Sequence, residues 1–273
     1  MTSPGRAGPR HFAVAAALFV SVAAIVLLAS ATGTDHEHSR RQQLDLRPSI
    51  SVSTPTPQTP MRRVLTLGRS VQGRPITATV LGDPGAPRPV LVVGAVHGNE
   101  TAGIAVADRL TRAGTSSRSA LWIVRDLNPD GVHARTRQNA HHVDLNRNFP
   151  FAWRPIGSLG DQQYSGPKAL SEPETRIARS LILRIRPRVT IWFHQPLGVT
   201  DQSGGDIHIE RRFAALSGLP LRLLTRYPGS ATGWQDHRLP HTTAFVVELP
   251  PGGLAPPSTA RIARAVLTLA RER

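Results

Sequence analysis

Apolar residues in this chain come in short runs that end abruptly at charged or polar positions. Val64 to Leu67 and Ile76 to Val80 alternate apolar with polar around a turn containing Gly73 and Pro75, which predicts an edge hairpin with one wet face. Val90 to Val96 is continuously apolar, as expected of a strand covered on both sides. From Glu100 to Arg112 the spacing becomes helical, with Ile104, Ala107 and Leu110 along one side, and Ala120 to Val124 is a further buried strand. Ser171-Glu172-Pro173-Glu174 reads as a capping box, opening a helix whose Ile177, Leu181, Ile182 and Ile185 face inward. Val189 to Phe193 and Thr243 to Val247 are strands, and Ser258 can cap a last helix that buries Ile262, Val266 and Leu269. Strands alternating with helices predict a three-layer α/β/α sandwich around a central mixed, mainly parallel sheet. No internal repeat is present.

The polar stretch from Asn128 to Gly166 has little periodicity. An ordered loop that long is usually functional.

Ahead of this domain the pattern changes twice. Phe12 to Ser30 is an uncharged apolar run preceded by Arg6 and Arg10, and Ala29-Ser30-Ala31 offers a small-residue cleavage site. Residues 1–31 read as a signal peptide, with a retained membrane anchor as the alternative. Either address places the domain outside the cytoplasm, secreted or held at the outer face of the cytoplasmic membrane. Residues 32–60 carry Pro55, Pro57 and Pro60 among Ser, Thr and Gln and read as a disordered linker. His36 and His38 belong to that solvated tether. Residues 61–273, about two hundred, suit one α/β domain with a sizeable core.

Composition narrows the chemistry. The chain has no cysteine, which excludes disulfides, thiolate nucleophiles and Cys-type zinc sites. Its formal charge of +15 comes almost wholly from arginine, Lys168 being the only lysine. A bias in genomic base composition accounts for this, and attraction to anionic wall polymers or acidic lipids is the functional reading. The arginines are dispersed rather than interleaved with aromatics, so no specific nucleic-acid partner is expected.

The residues at the run ends carry the chemistry. His97 and Glu100 follow one buried run, and Gly98-Asn99 between them make a turn tight enough for both side chains to reach one ion. His194 ends a second buried run. Two histidines and one carboxylate are the set a catalytic zinc uses when it keeps a fourth position for water. Glu248 ends a third run and suits a general base, its pKa raised by partial burial. A helix N-terminus at Glu100 and a solvated strand end at Glu248 are the bland alternatives. His133, His141, His208, His237 and His241 are expected in solvent, and Trp192-Phe193 in the core.

These pieces stand in a larger order. His97-Gly98-Asn99-Glu100 is followed by Asn128-Pro129-Asp130-Gly131, Arg137 and Asp144-Leu145-Asn146-Arg147-Asn148-Phe149-Pro150. Ser165-Gly166-Pro167, Ser171 to Glu174, His194 and Glu248 come after them. Together they resemble the zinc metallocarboxypeptidases, the carboxypeptidase A-like family, over nearly the whole chain after residue 60. The look is closest to bacterial members of the murein-peptide amidase type.

The resemblance implies one zinc ion per chain on His97, Glu100 and His194, with Glu248 activating its water. Arg137 would stabilise the oxyanion, Asn146 and Arg147 would hold the substrate's terminal carboxylate, and Asp144 would orient the His97 ring. Tyr227, a residue or two out of register, corresponds to the tyrosine that closes over substrate in the family; a core or surface tyrosine is the other reading. His142 stands where similar sequences often have glycine, which matters if the backbone there needs a positive φ.

The implied enzyme is a monomeric exopeptidase or amidase that cuts an amide bond next to a free carboxylate in a peptide or muropeptide. General C-terminal trimming of L-peptides, deacylation of acylated amino acids, and a non-catalytic wall-binding protein on the same fold are the other readings.

Overall fold

The computed structural model describes residues 61–113 and 120–272. The signal or anchor and the linker of residues 1–60 lie outside the described residues. Among those described, no helix is long and apolar enough to cross a membrane.

The strands are β1 (Arg62–Arg69), β2 (Pro75–Gly82), β3 (Val90–Val93), β4 (Ala120–Val124), β5 (Val189–His194), β6 (Val199–Asp201), β7 (Leu221–Arg222) and β8 (Thr243–Glu248). The helices are α1 (Ala102–Thr111), α2 (Pro129–Ala134), α3 (Pro173–Ile185), α4 (Ile207–Ser217), α5 (Ala231–Arg238) and α6 (Pro256–Arg271). One eight-stranded sheet has the order β1-β2-β4-β3-β5-β8-β6-β7. Its centre, β4-β3-β5-β8, is parallel, while the β1-β2, β2-β4 and β8-β6 pairings are antiparallel.

Alternation along the central strands divides the core. Val90, Val92, Ile191, Phe193, Phe245 and Val247 pack on one face with Leu110 of α1, Phe213 of α4 and Ile262 and Val266 of α6. Leu91, Val93 and Trp192 face the other way, against Leu181 and Ile182 of α3 and Trp234 of α5. This is the expected three-layer sandwich. From β3 the chain crosses to β4 on one side and later returns as β5 on the other. That reversal opens a crevice at the C-terminal ends of the strands, where open α/β sheets bind ligands.

Local expectations were corrected in several places. Within the hairpin only β1 lies at a sheet edge, with Val64 and Leu65 both exposed and Leu67 packed against the core; β2 is interior and buried. Helix α1 starts at Ala102, two residues later than its apolar spacing implied. The capping box is not made: α3 begins after Glu172, and Glu174 instead accepts from Val71 N and Asn139 Nδ2 at 3.0 Å each. Ser258 does not cap α6, which begins after Ala255 with prolines in its first turn. Helices α2, α4 and α5 were not anticipated. For α4 the signals were present, an Asp206 cap and a Gly218 stop.

His142 does adopt the left-handed conformation, at φ 59°, inside a turn closed by its N–H to the Asn139 carbonyl at 2.9 Å. The side chain is exposed, so nothing packs on it. Relief of the Cβ clash outweighs the added unfolded-state entropy. His142→Gly is therefore expected to raise stability by about 0.5 kcal/mol, read as a higher urea midpoint with unchanged slope.

Candidate active site

The C-terminal ends of β3, β5 and β8 lead into the candidate site residues His97 and Glu100, His194 and Glu248. Beyond β3 the chain turns through Gly98, where a Cβ would meet the Gly131 carbonyl carbon at 1.9 Å, so only glycine lets the turn pass against α2. Helix α2 is held by Asn128, whose Oδ1 accepts from Gly131 N at 2.9 Å and whose Nδ2 donates to the Arg137 carbonyl at 3.3 Å. Asp130 accepts from Ser70 Oγ, Gln72 N and Arg74 and ties in the β1–β2 turn. The Asn128 to Gly131 stretch thus builds the wall behind the site.

His97, Glu100 and His194 converge, with ligand atoms of all three within 4.8 Å of one another, and all are buried. The two Nδ1 atoms lie 3.1 Å apart. Glu100 Oε1 lies 2.9 Å from His97 Nδ1 and Oε2 lies 2.9 Å from His194 Nδ1. A tetrahedral zinc ion with nitrogen ligands at about 2.0–2.1 Å would hold two of them about 3.3 Å apart. The donor set and its spacing therefore fit that ion.

Asp144 Oδ1 sits 2.9 Å from His97 Nε2, directing the Nδ1 face toward Glu100 and His194. Burial works against ionisation of Asp144 and Glu100, but the histidines, with Arg137 and Arg147 beside Asp144, outweigh it and hold both carboxyls below their ordinary range. Burial alone would depress His97; the two carboxylates raise it instead. Loss of such a ring-orienting partner costs about 10–100-fold in metal affinity. Asp144→Asn is expected to do the same, measured by competition with a chromogenic chelator.

Arg137 donates NH1 to Glu100 Oε1 at 3.0 Å and Nε to Asp144 Oδ2 at 3.0 Å, at the edge of the cleft. Asn146 and Arg147 occupy a short 3₁₀ turn capped by Asp144. Asn146 Oδ1 accepts from Ala231 N at 2.9 Å, and Nδ2 is 3.5 Å from His194 Nε2. The Arg147 guanidinium is buried with Nε unpartnered, and it lies 3.9 Å from the centre of the Tyr227 ring. Tyr227 is thereby at the cleft mouth and partly exposed rather than in the core. Gly229 (φ 71°) permits this, since a Cβ there would meet the Arg147 carbonyl oxygen at 2.2 Å. Glu248 is placed beside His194 by the β5–β8 register, with Oε2 buried and unpartnered. Burial raises its pKa, Glu100 adds to this, and His194 opposes it.

His97, Glu100, Arg137, Asn146, Arg147, His194, Tyr227 and Glu248 line one cleft of about 360 Å³, and Asp144 does not. The five other histidines of the domain named above are exposed, as expected. Sequence reading missed Gln195, which donates its N–H to Glu100 Oε2, accepts from Ala102 N and donates Nε2 to the carbonyls of Pro250 and Gly252. It missed Asn148 too, fully buried and bonded to Ser165, Lys168, Ser171, Glu172 and Thr175, which ties down the polar loop. Adjacency to His194 was the signal for Gln195, and Asn148 stood within the Asp144 to Pro150 stretch without a role assigned to it.

Known proteins share this plan. The zinc carboxypeptidase family profile matches residues 56–196. Murein peptide amidase A of Escherichia coli (strain K12) is 33% identical over 181 residues, covering 61% of this chain and 74% of that protein. Its counterpart from Vibrio campbellii is 31% identical over 197 residues, covering 67% and 78%. The crystal structure of murein-tripeptide amidase MpaA from Escherichia coli O157 superposes with a TM-score of 0.65 at 28% identity, over 77% of this chain and 92% of that one. With the family profile spanning half the chain and the cleft built from its motifs, this protein belongs to the zinc carboxypeptidase family and is a hydrolase of the metallocarboxypeptidase type.

Proposed function

We propose that this protein is an exported, zinc-dependent amidase that cuts cell-wall peptides at an amide bond adjacent to a free carboxylate. One observation carries the reading: the His97, Glu100 and His194 focus shares a cleft with a buried, unpartnered Arg147 donor and a buried, unpartnered Glu248 oxygen. When bound, zinc on those three ligands supplies Lewis acidity to a carbonyl and lowers the pKa of a water.

The chain's own groups do the rest. Arg147, with Asn146 beside it, receives the terminal carboxylate, for which a guanidinium fork is well shaped. Glu248 takes a proton from the attacking water and returns it to the leaving nitrogen. Arg137 swings from Glu100 and Asp144 to the carbonyl oxygen as negative charge develops there. Tyr227 covers Arg147 and closes the mouth. Similarity to murein peptide amidases from two genera, each matched over more than two thirds of its length, supports a wall peptide over general C-terminal trimming. The leader-like residues 1–31 support the export in this reading, and the positive charge supports attraction to anionic wall polymers.

A γ-D-glutamyl–diaminopimelate muropeptide tests this directly. The metal-loaded protein is expected to release the diamino acid end, to lose that activity in 1,10-phenanthroline and to regain it with stoichiometric zinc. Chelator-insensitive hydrolysis, or activity on hippuryl peptides alone, would refute it.

A further inference from the structure

The same cleft contains a second charged pair that neither the carboxylate clamp nor the base uses. Alternation along β8 puts Val246 on the cleft side with Glu248, about 7 Å along the strand. Strand β6 runs antiparallel beside it, pairing Val199 with Glu248 and Thr200 with Val247, so Asp201 continues alongside Val246. Ser203 locks that position: its hydroxyl donates to Asp201 Oδ2 at 2.8 Å and accepts from Val246 N at 3.2 Å. Asp201 is buried, and its Oδ1 accepts from Leu224 N at 2.9 Å. Arg226 donates NH1 to Asp201 Oδ2 at 3.1 Å and NH2 to the Gln202 carbonyl. Its side chain is 45% exposed, against 6% for Asp201. Both line the cleft wall.

The pair is therefore a fixed carboxylate facing a guanidinium with room to turn. A lone ammonium entering here would take Asp201 and leave Arg226 without its partner. A lone carboxylate would take Arg226 and strand the buried Asp201, which is costlier. A group carrying both charges exchanges pair for pair and strands neither. Burial works against ionisation of the acids behind the wall, raising Glu210 and pushing Asp236 up to about 7.

We propose that Asp201 and Arg226 form the floor of a side-chain pocket selecting a residue whose side chain ends in an ammonium and a carboxylate on one carbon. Asp201 takes the ammonium and Arg226 the carboxylate, while Arg147 holds the other carboxylate of the same molecule. This deepens the function proposed above, resting on it for the direction in which the side chain points from the scissile bond.

Calorimetric titration of the zinc-loaded full chain with free amino acids tests the pocket without requiring turnover. The probes are meso-diaminopimelate, lysine, which lacks the far carboxylate, and α-aminopimelate, which lacks the far ammonium. The first is expected to bind at least tenfold more tightly than either. Arg226→Met is expected to erase the preference over lysine. Asp201→Asn, which keeps an acceptor for Leu224 N, is expected to erase the preference over α-aminopimelate. Equal wild-type affinities, or preferences that survive in both variants, would overturn the assignment. Failure of the hydrolytic reading looks different: the three-way preference persists while no muropeptide is cut.

Discussion

Glu248→Gln is expected to lower kcat by 10²–10⁴-fold, about 3–5 kcal/mol, while KM changes little. The substitution is isosteric and leaves His97, Glu100 and His194 in place, so zinc content should remain one ion per chain by metal analysis. Loss of kcat without loss of metal is the mark of a missing proton acceptor rather than a broken site. The pH profile supplies a second reading. Burial raises the Glu248 carboxyl, and a base works only when ionised, so kcat/KM is retained above that pKa and falls as pH drops through it. The residual activity of the variant should lack this acid limb. A variant that keeps more than a tenth of wild-type kcat would remove Glu248 from the mechanism.

Arg147→Ala is expected to reduce kcat/KM by about 10²–10³-fold on substrates with a free terminal carboxylate, about 3–4 kcal/mol. A buried guanidinium with a free donor has already met its desolvation cost in the fold, so a carboxylate gains the full charge-assisted bond there. Substrates capped as the amide should change less than tenfold. Their wild-type rates are expected to be low for the same reason that the variant is slow, the absence of one charge from the pair. Equal losses on free and capped substrates would mean that the clamp lies elsewhere in the cleft.

The two roles differ in how they could be read from the linear chain. His97, His194 and Glu248 each end an apolar run, and strand ends of a parallel sheet point into one crevice, so a shared focus followed from periodicity and fold class together. Arg137, Asn146 and Arg147 sit in a polar stretch with no period at all. Only resemblance to a family singled them out, and the reason is physical: loop side chains are placed by hydrogen bonds to distant partners, such as the Ala231 N–H on Asn146. The capping box fails on the same ground. Glu174 stands three residues past a good capping serine in sequence, but the Val71 N–H and Asn139 amide compete for its carboxylate and win. Helix α5 was invisible because only Ala231 and Trp234 mark its apolar face, and Ser230 caps it with a hydroxyl that could equally have belonged to a turn.

What the chain determined by itself was the α/β alternation, the buried strand cores and the types of side chain at their ends, because periodicity and burial are local properties of the residues. What tertiary structure alone decided was contact across the sheet. The 3.1 Å approach of two imidazole nitrogens 97 residues apart and the juxtaposition of Asp201 with Arg226 both depend on strand order and register. Those are set by the summed packing of both helical layers, which no short window of sequence contains.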